Sequence, residues 1–346
     1  MVFKVLMVFK ILKLFIGFIF AAALGLVVLE LFLQKAEIET VSTTDFDSHI
    51  GRIKRPNMNF IHFNEGFSMG QYNNNSILGP DCSIEKKTGV FRIAILGDSY
   101  VESLQVFRRD QFISIIEKQL SKNLGKSVEV LNFGRSGFDL ADMFAYQQNF
   151  VNQFKPDLIL YFLSSNDLIC KQTDLLIPKV ILKDCELIVT NDLFPQKYLR
   201  TYNKTKWLTQ NSITMQMLVS AGKLILAGKF WPKMLGKFHV NFKEPLISNN
   251  ITTQLPPLTF AIQDNFSSNT IVVNRGNSQL SKEFMIGLEK NKIPFVSLRD
   301  TLTVLKQKGI DPYYWVVTNT KGHLNHMGHK AIGYYLSEKL SKLLIN

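Results

Sequence analysis

The chain has 346 residues, of which 46% are hydrophobic, and a formal net charge of +12. Beyond its N-terminal segment it is long enough to bury one sizeable core. Its lysines are spread along the chain without a dense cluster, and no nucleic-acid-binding motif is present, so a nucleic acid is not expected as a partner.

The N-terminal segment contains an almost unbroken apolar run over residues 14–33. About 20 apolar residues are enough to cross a bilayer as a helix. Lys4, Lys10 and Lys13 precede the run, while Glu30 and Glu37 lie at or after its end. The positive-inside rule then predicts a cytoplasmic tip and transmembrane signal anchor over residues 1–35, with everything after it extracytoplasmic, in the periplasm or at the cell surface. A cleaved signal peptide is the alternative.

Residues 36–87 are polar and rich in asparagine, glycine and phenylalanine. We interpret them as a stalk or lead-in segment that packs loosely on the following domain and leads the chain to the edge of a site there.

The next region alternates strand-like and helix-like patterns. A buried strand is predicted over residues 91–96 and ends at Gly97-Asp98-Ser99, after which a helical pattern begins near Phe112. A second strand over 128–133 ends at Gly134, and a third over 157–162 is followed by Asn166. Serine beyond the carboxyl end of a central strand lies where open α/β sheets bind their ligands. The alternative is that Asp98 and Ser99 only cap a turn.

The middle section, roughly residues 171–265, carries no motif and is predicted as an insertion. Short strands are predicted over 174–189 and a helical segment over 207–238. That helical segment is either an amphipathic cap with solvated lysines or a lid that touches substrate or membrane. The sheet resumes over 270–273, with a helix over 278–290 and a strand over 294–298.

The C-terminal motif is Gly322-His323-Leu324-Asn325-His326-Met327-Gly328-His329, before a helix over residues 330–344. A parallel sheet would bring Ser99, Gly134, Asn166 and His323 to one edge. His323, His326 and His329 could also suggest a metal site. Residues spaced i, i+3 and i+6 do not share one tight face of a helix, and no cysteine or carboxylate joins them, so no metal is expected.

These four motifs, in this order, resemble those of the SGNH (GDSL-type) hydrolase family. The resemblance covers roughly residues 88–170 and 290–346. It implies a three-layer α/β/α sandwich with a parallel, flavodoxin-like central sheet over residues 88–346. It also implies that Ser99 is the nucleophile and His323 the general base. The backbone N–H groups of Ser99 and Gly134, with the Asn166 side chain, would form the oxyanion hole. No cofactor is implied.

One position departs from the family pattern. An aspartate usually stands three residues before the histidine and orients it, but this chain has Thr320 there. A Ser-His dyad, a more distant carboxylate such as Asp311, and a weakened or lost activity remain open. Asp98 is a further candidate for a supporting residue.

The resemblance therefore implies a serine esterase that hydrolyses acyl esters, with an O-acetyl group on an envelope carbohydrate as the expected substrate. Three alternatives remain: an O-acyltransferase that uses the same site, a catalytically inactive glycan- or partner-binding module, and a lipase or thioesterase. Cys170 and Cys185 could form a disulfide in an oxidising compartment, which the sequence alone does not decide.

Overall fold

The computed structural model describes residues 2–36, 39–226, 228, 231, 255–276 and 278–345. The strands, in chain order, are β1 (Thr44–Asp47), β2 (Gly51–Lys54), β3 (Asn59–His62), β4 (Ser68–Gln71), β5 (Phe91–Gly97), β6 (Val128–Gly134), β7 (Leu158–Leu163), β8 (Lys179–Lys183), β9 (Glu186–Thr190), β10 (Thr270–Asn274), β11 (Phe295–Ser297), β12 (Tyr314–Trp315) and β13 (Thr320–Lys321). The helices are α1 (Val2–Ala36), α2 (Ser99–Glu102), α3 (Phe112–Leu124), α4 (Leu140–Asn149), α5 (Gln196–Asn211), α6 (Ile213–Leu226), α7 (Pro257–Asp264), α8 (Lys282–Lys290), α9 (Arg299–Gln307) and α10 (His326–Ile345).

Five strands form the central sheet in the order β11-β10-β7-β5-β6, and all neighbours are parallel. Their sequences are apolar on both faces, as a sheet covered on both sides requires, and β7 is buried along its whole length. Gly97 pairs with Gly134, so the carboxyl ends of β5 and β6 lie side by side. The predicted strands are therefore present within a residue or two of their expected bounds.

Helices cover both faces of the sheet. One core cluster joins the sheet to α3, α9 and α10, and the other joins it to α4, α7 and α8. Helices α3 and α10 approach closely at Gly333, where an added Cβ would lie 2.7 Å from the Ile115 Cβ. The predicted three-layer α/β/α sandwich is confirmed.

The lead-in segment forms two antiparallel hairpins, β1–β2 and β3–β4. From Thr44 onward it belongs to the same compact unit as the sheet. Phe60, Tyr72 and Leu78 form a small buried cluster, and Leu78 makes a β-bridge to Asn132 of β6. These contacts fix the β3–β4 turn, which contains Glu65.

A second compact unit holds α1, most of α5, and α6. Within α1, the segment Phe9–Ala36 is long and apolar enough to cross a membrane. The predicted helix over 207–238 is interrupted at Ser212, where α5 gives way to α6, and residues 232–238 lie outside the described part of the chain. The break is stabilised by Glu30 of α1, which accepts hydrogen bonds from Ser212 Oγ (2.8 Å), Ile213 N (3.0 Å) and Thr214 N (2.9 Å) and so caps α6.

Candidate active site

Ser99 is the first residue of the short helix α2, immediately after β5. Asp98 is its N-cap, with extended backbone, and accepts a hydrogen bond from Tyr100 N at 3.0 Å. Ser103 ends the helix in the left-handed conformation at φ 56°. The sharp strand-to-helix turn thus leaves Ser99 half-buried at the edge of the sheet.

His323 lies directly beside this serine. Its Nε2 is 2.7 Å from the Ser99 Oγ, although the two residues are 224 positions apart. His323 stands in the turn between β13 and α10, where the Trp315 Nε1–H donates to its carbonyl oxygen at 2.9 Å. The Tyr100 ring packs on the imidazole with 4.8 Å between ring centroids. The imidazole is therefore held within hydrogen-bond reach of the hydroxyl.

A carboxylate from the lead-in segment completes the chain of hydrogen bonds. Both Glu65 carboxylate oxygens lie against the His323 Nδ1, at 2.9 and 3.0 Å, and Oε2 also accepts the His323 backbone N–H at 2.9 Å. The Thr318 hydroxyl donates to the Glu65 carbonyl oxygen at 3.0 Å, which fixes the turn. An added Cβ on Gly322 would lie 2.3 Å from Glu65 Oε1, so the absence of a side chain there makes room for the carboxylate.

Asp311, the sequence candidate for an orienting acid, lies elsewhere. Its carboxylate is 3.0 Å from Lys321 Nζ and accepts the Tyr313 N–H, and no described hydrogen bond joins it to His323. Burial is slight, so these two partners lower the pKa of Asp311. Of the alternatives left open by the sequence, the structure brings a distant carboxylate to His323, and that carboxylate belongs to Glu65 and not to Asp311. Glu65 has no local signal in the sequence, because it stands 258 positions from His323, whereas the usual acid lies three residues before the histidine.

Gly134 is not free to face a substrate. Its N–H donates to the Asn132 Oδ1 at 2.9 Å, and an added Cβ would lie 2.2 Å from the backbone nitrogen of Glu102. The residue is buried against α2, so its amide serves the packing of this turn. Gly137, three residues later, is exposed, has φ 87°, and has open space beside its Cα.

Asn166 is exposed at the turn that follows β7, and its side-chain amide has no hydrogen-bond partner among the described residues. The next residue, Asp167, is buried and accepts hydrogen bonds from Ser164 N at 2.7 Å and Ser164 Oγ at 2.9 Å. Burial, and then the charge of Asp98, raise the pKa of Asp167 to about 6. Asp167 thus shapes the turn while Asn166 faces outward.

A buried ion pair, Arg275 with Asp98, stabilises the turn between β5 and α2. The Arg275 guanidinium contacts the Asp98 carboxylate, donates to Ser164 Oγ at 3.0 Å and lies 4.3 Å from the Tyr100 ring centroid. Asp98 and Arg275 are both buried. Arg275 follows β10, in a stretch that the sequence analysis read only as a resumed strand. Through Asp98 it joins the ends of β5, β7 and β10.

His326 and His329 have no part in this arrangement. His326 is exposed near Trp315, whereas His329 is buried and stacks on Phe112. Burial lowers the pKa of His329 to about 3, which keeps the imidazole neutral. The described residues contain no cluster of three or more His, Cys, Asp or Glu side chains that could hold a metal ion. Cys82, Cys170 and Cys185 are free thiols that form no disulfide.

No family model and no curated protein matches the chain. Solved structures similar to it include a psychrotrophic esterase from Pseudoalteromonas sp., with 12% identity, TM-score 0.36, and coverage of 74% of this chain and 99% of that one. A lipase/acylhydrolase from Enterococcus faecalis has 10% identity, TM-score 0.32, and coverage of 73% and 96%. A two-domain esterase active on acetylated mannans has 13% identity, TM-score 0.38, and coverage of 74% and 50%.

Proposed function

We propose that this chain is a serine ester hydrolase of the SGNH (GDSL) type that works through a Ser99–His323–Glu65 triad. The observation that carries the proposal is the continuous path of hydrogen bonds from the Ser99 hydroxyl through both imidazole nitrogens to the Glu65 carboxylate. A serine hydroxyl is a weak nucleophile unless a neighbouring base takes its proton, and the base needs a third group to orient it.

In the proposed mechanism the Ser99 Oγ attacks the ester carbonyl carbon, and His323 Nε2 accepts the hydroxyl proton. Glu65 holds the Nδ1–H tautomer and stabilises the imidazolium that forms. His323 then gives the proton to the departing alcohol, which leaves an acyl-Ser99 ester. A water molecule, deprotonated by the same imidazole, attacks that ester; the bond to Ser99 Oγ then breaks, the imidazolium returns its proton to that oxygen, and the acid is released.

The tetrahedral intermediates need donors for their oxyanion. We assign that role to the Ser99 N–H and to the exposed Asn166 amide, which has no partner in the described part of the chain. The internal hydrogen bond of Gly134 leaves the exposed amide of Gly137 as our candidate for the third donor, in place of the predicted Gly134. Removal of one such donor typically costs about 3–4 kcal/mol of barrier.

The expected substrate is an acyl ester, and an O-acetyl ester on an envelope carbohydrate is the specific form we propose. The catalytic unit would lie outside the cytoplasm, anchored by α1, because Lys4, Lys10 and Lys13 precede the apolar segment. Transfer of the acyl group to a sugar hydroxyl instead of water would use the same residues. A product that carries the acyl group on added glycan would identify that version.

The test is covalent labelling of the full chain in detergent with a fluorophosphonate, which reacts only with an activated serine. We expect labelling of the native protein and of Ser136→Ala, and none of Ser99→Ala. His323→Ala should label at a rate reduced by at least about 100-fold, in line with the usual contribution of a general base. Folded native protein that fails to label would contradict the hydrolase proposal and favour a binding module.

A further inference from the structure

A cavity is lined in part by Glu102, which lies one helical turn after the candidate nucleophile Ser99. Its volume is about 160 Å³, and its polar lining includes Arg52, Lys54, Glu102, Arg135 and Ser136. A water molecule occupies about 30 Å³ in the liquid, so this space can hold a small polar group and accompanying water. Strand β2 of the lead-in segment supplies one wall, and the ends of α2 and β6 supply the others.

The charges that line this cavity do not balance. Lys54 Nζ lies 3.3 Å from the Glu102 carboxylate, and Arg52 contacts Asp174 at the cavity's outer side. Arg135 is buried, and its guanidinium donates to Ser76 O at 2.9 Å and Tyr146 Oη at 3.0 Å, both of them neutral acceptors. Among the groups that the structure describes here, three cations thus share two carboxylates, an excess of one positive charge.

The ionisation of these groups follows from that excess. Burial opposes the charge on Glu102, yet Lys54, Arg135 and the Ser136 donors together lower the pKa of Glu102 to about 2. Burial lowers the pKa of Lys54, and the neighbouring Arg135 and Arg52 lower it further against the pull of Glu102. Arg135 differs, because Tyr146 and Glu102 raise its pKa despite its burial. The cost of charge in the cavity therefore falls on Lys54, and a second anion would relieve it.

The cavity is connected to the candidate active site through two residues. Glu102 is the last residue of the helix that Ser99 begins. Ser136 is exposed in the turn after β6, and its N–H donates to Glu102 Oε2 at 2.9 Å. The hydroxyl of Ser136 donates to the same oxygen. Glu102 of the cavity lining and Ser99 thus lie about one helical turn apart on the same short helix.

We propose that this cavity is a substrate subsite for an oxyanion group, a carboxylate or a phosphate, carried by the same molecule whose ester reaches Ser99. That the anion belongs to a substrate depends on the proposed function. That the cavity binds an anion does not. Arg52, half exposed at the rim, and Lys54, further inside, would contact the anion. Arg135 would act mainly through its field, because it is buried and its Nη2 group already donates to Ser76 O and Tyr146 Oη. The preferred substrates would then be acyl esters of acidic sugars rather than neutral ones.

Binding is tested first, with inorganic phosphate as the probe. The thermal midpoint of the full chain in detergent is followed against sodium phosphate, with sodium chloride at equal ionic strength as the reference. We expect a saturable rise for the native chain and for the control Arg109→Gln, which removes an exposed cation on a different segment. Arg52→Gln should weaken the response at least tenfold, and Lys54→Gln should do the same if it folds. Equal responses in all variants would mean an adventitious ion only and would overturn the subsite.

Turnover gives the second test, with acetyl esters of galactose, galacturonate and galactose 6-phosphate. We expect kcat/KM for at least one acidic sugar to exceed that for galactose by tenfold or more. That ratio should fall toward one in Arg52→Gln and persist in Arg109→Gln. The acidic sugar that is preferred distinguishes carboxylate from phosphate. If the protein binds phosphate through Arg52 but cleaves none of the esters, the anion site is supported and the esterase proposal is contradicted. If it cleaves all three esters equally and does not respond to phosphate, the esterase proposal is supported and the anion site is contradicted.

Discussion

Glu65 and His323 stand 258 residues apart, yet the glutamate accepts hydrogen bonds from both the ring Nδ1 and the backbone N–H of the histidine. The lead-in hairpin β3–β4 supplies this carboxylate, so the segment before the sheet takes part in the candidate site. A bidentate, charge-assisted contact of this kind fixes both the tautomer and the orientation of the imidazole.

The first prediction concerns this contact. Glu65→Gln should lower kcat on p-nitrophenyl acetate by about 100- to 10,000-fold, because loss of a triad acid has an effect of that order elsewhere. The variant should still fold, since Gln can keep a hydrogen bond to the His323 N–H. The matched control is Asp311→Asn, which removes the carboxylate that pairs with Lys321. An equal loss of activity in both variants would contradict the assignment of Glu65.

A second prediction uses the space beside that carboxylate. Gly322→Ala adds a Cβ 2.3 Å from Glu65 Oε1 without a forbidden backbone conformation, since Gly322 does not have positive φ. The alanine must therefore displace the carboxylate and loosen its hold on His323. We expect kcat to fall at least tenfold while the thermal midpoint changes by a few degrees. Steady-state kinetics with thermal unfolding on the same sample checks this. Unchanged kcat would mean that the Glu65 position does not matter.

Some residues of the candidate site carry a local sequence signal, and others do not. Ser99, Asn166 and His323 follow from short motifs at strand ends or before a helix, because parallel strands bring their carboxyl ends to one edge. Glu65 lies in a polar turn without a motif, and contacts with distant segments fix its position: the packing of Phe60, Tyr72 and Leu78 and the hydrogen bond from Thr318. Such a long-range contact has no local signature in a single sequence.

Side-chain contacts also explain why Gly134 and the helix over residues 207–238 differ from their predictions. The sequence places Gly134 correctly at the end of β6, but it gives no sign that the Asn132 side chain occupies the Gly134 amide. The break between α5 and α6 depends on Glu30, about 180 residues away, while hydropathy alone favoured one helix over residues 207–238. Local periodicity predicts the helices and strands well. Contacts made by individual side chains, many of them between distant segments, determine which hydrogen-bond donors remain available to a substrate.

The third prediction concerns the exposed amide at Asn166. Asn166→Ala should lower kcat by about 100- to 1000-fold, as loss of a side-chain oxyanion donor does elsewhere. Because the side chain has no partner among the described residues, the thermal midpoint should hardly change. Asn265→Ala is the control, since that asparagine is also exposed and bonds only within its own helix end. A similar kcat for Asn166→Ala and the native chain would exclude Asn166 from the oxyanion hole.

The fourth prediction is a pH dependence of stability at the start of α4. Asp139 caps this helix and forms a capping box with Asp142, whose Oδ1 is buried without a partner among the described groups. Burial, and then the charge of Asp139, raise the pKa of Asp142 to about 7, against about 3.9 in an unfolded chain. The folded state therefore binds more protons between these values, so the stabilisation present below pH 4 is lost as the pH rises to 7.

Asp142→Asn removes that loss, because the amide is neutral at every pH and its oxygen can still accept the Asp139 N–H. We expect the variant to exceed the native chain in free energy of unfolding by about 1–3 kcal/mol at pH 8, below the roughly 4 kcal/mol that a three-unit shift allows. The difference should shrink toward zero near pH 4. Urea unfolding at pH 4, 6 and 8 measures it, with the exposed Glu289→Gln as the control. A pH-independent difference would mean that Asp142 is ionised in the folded state despite its burial.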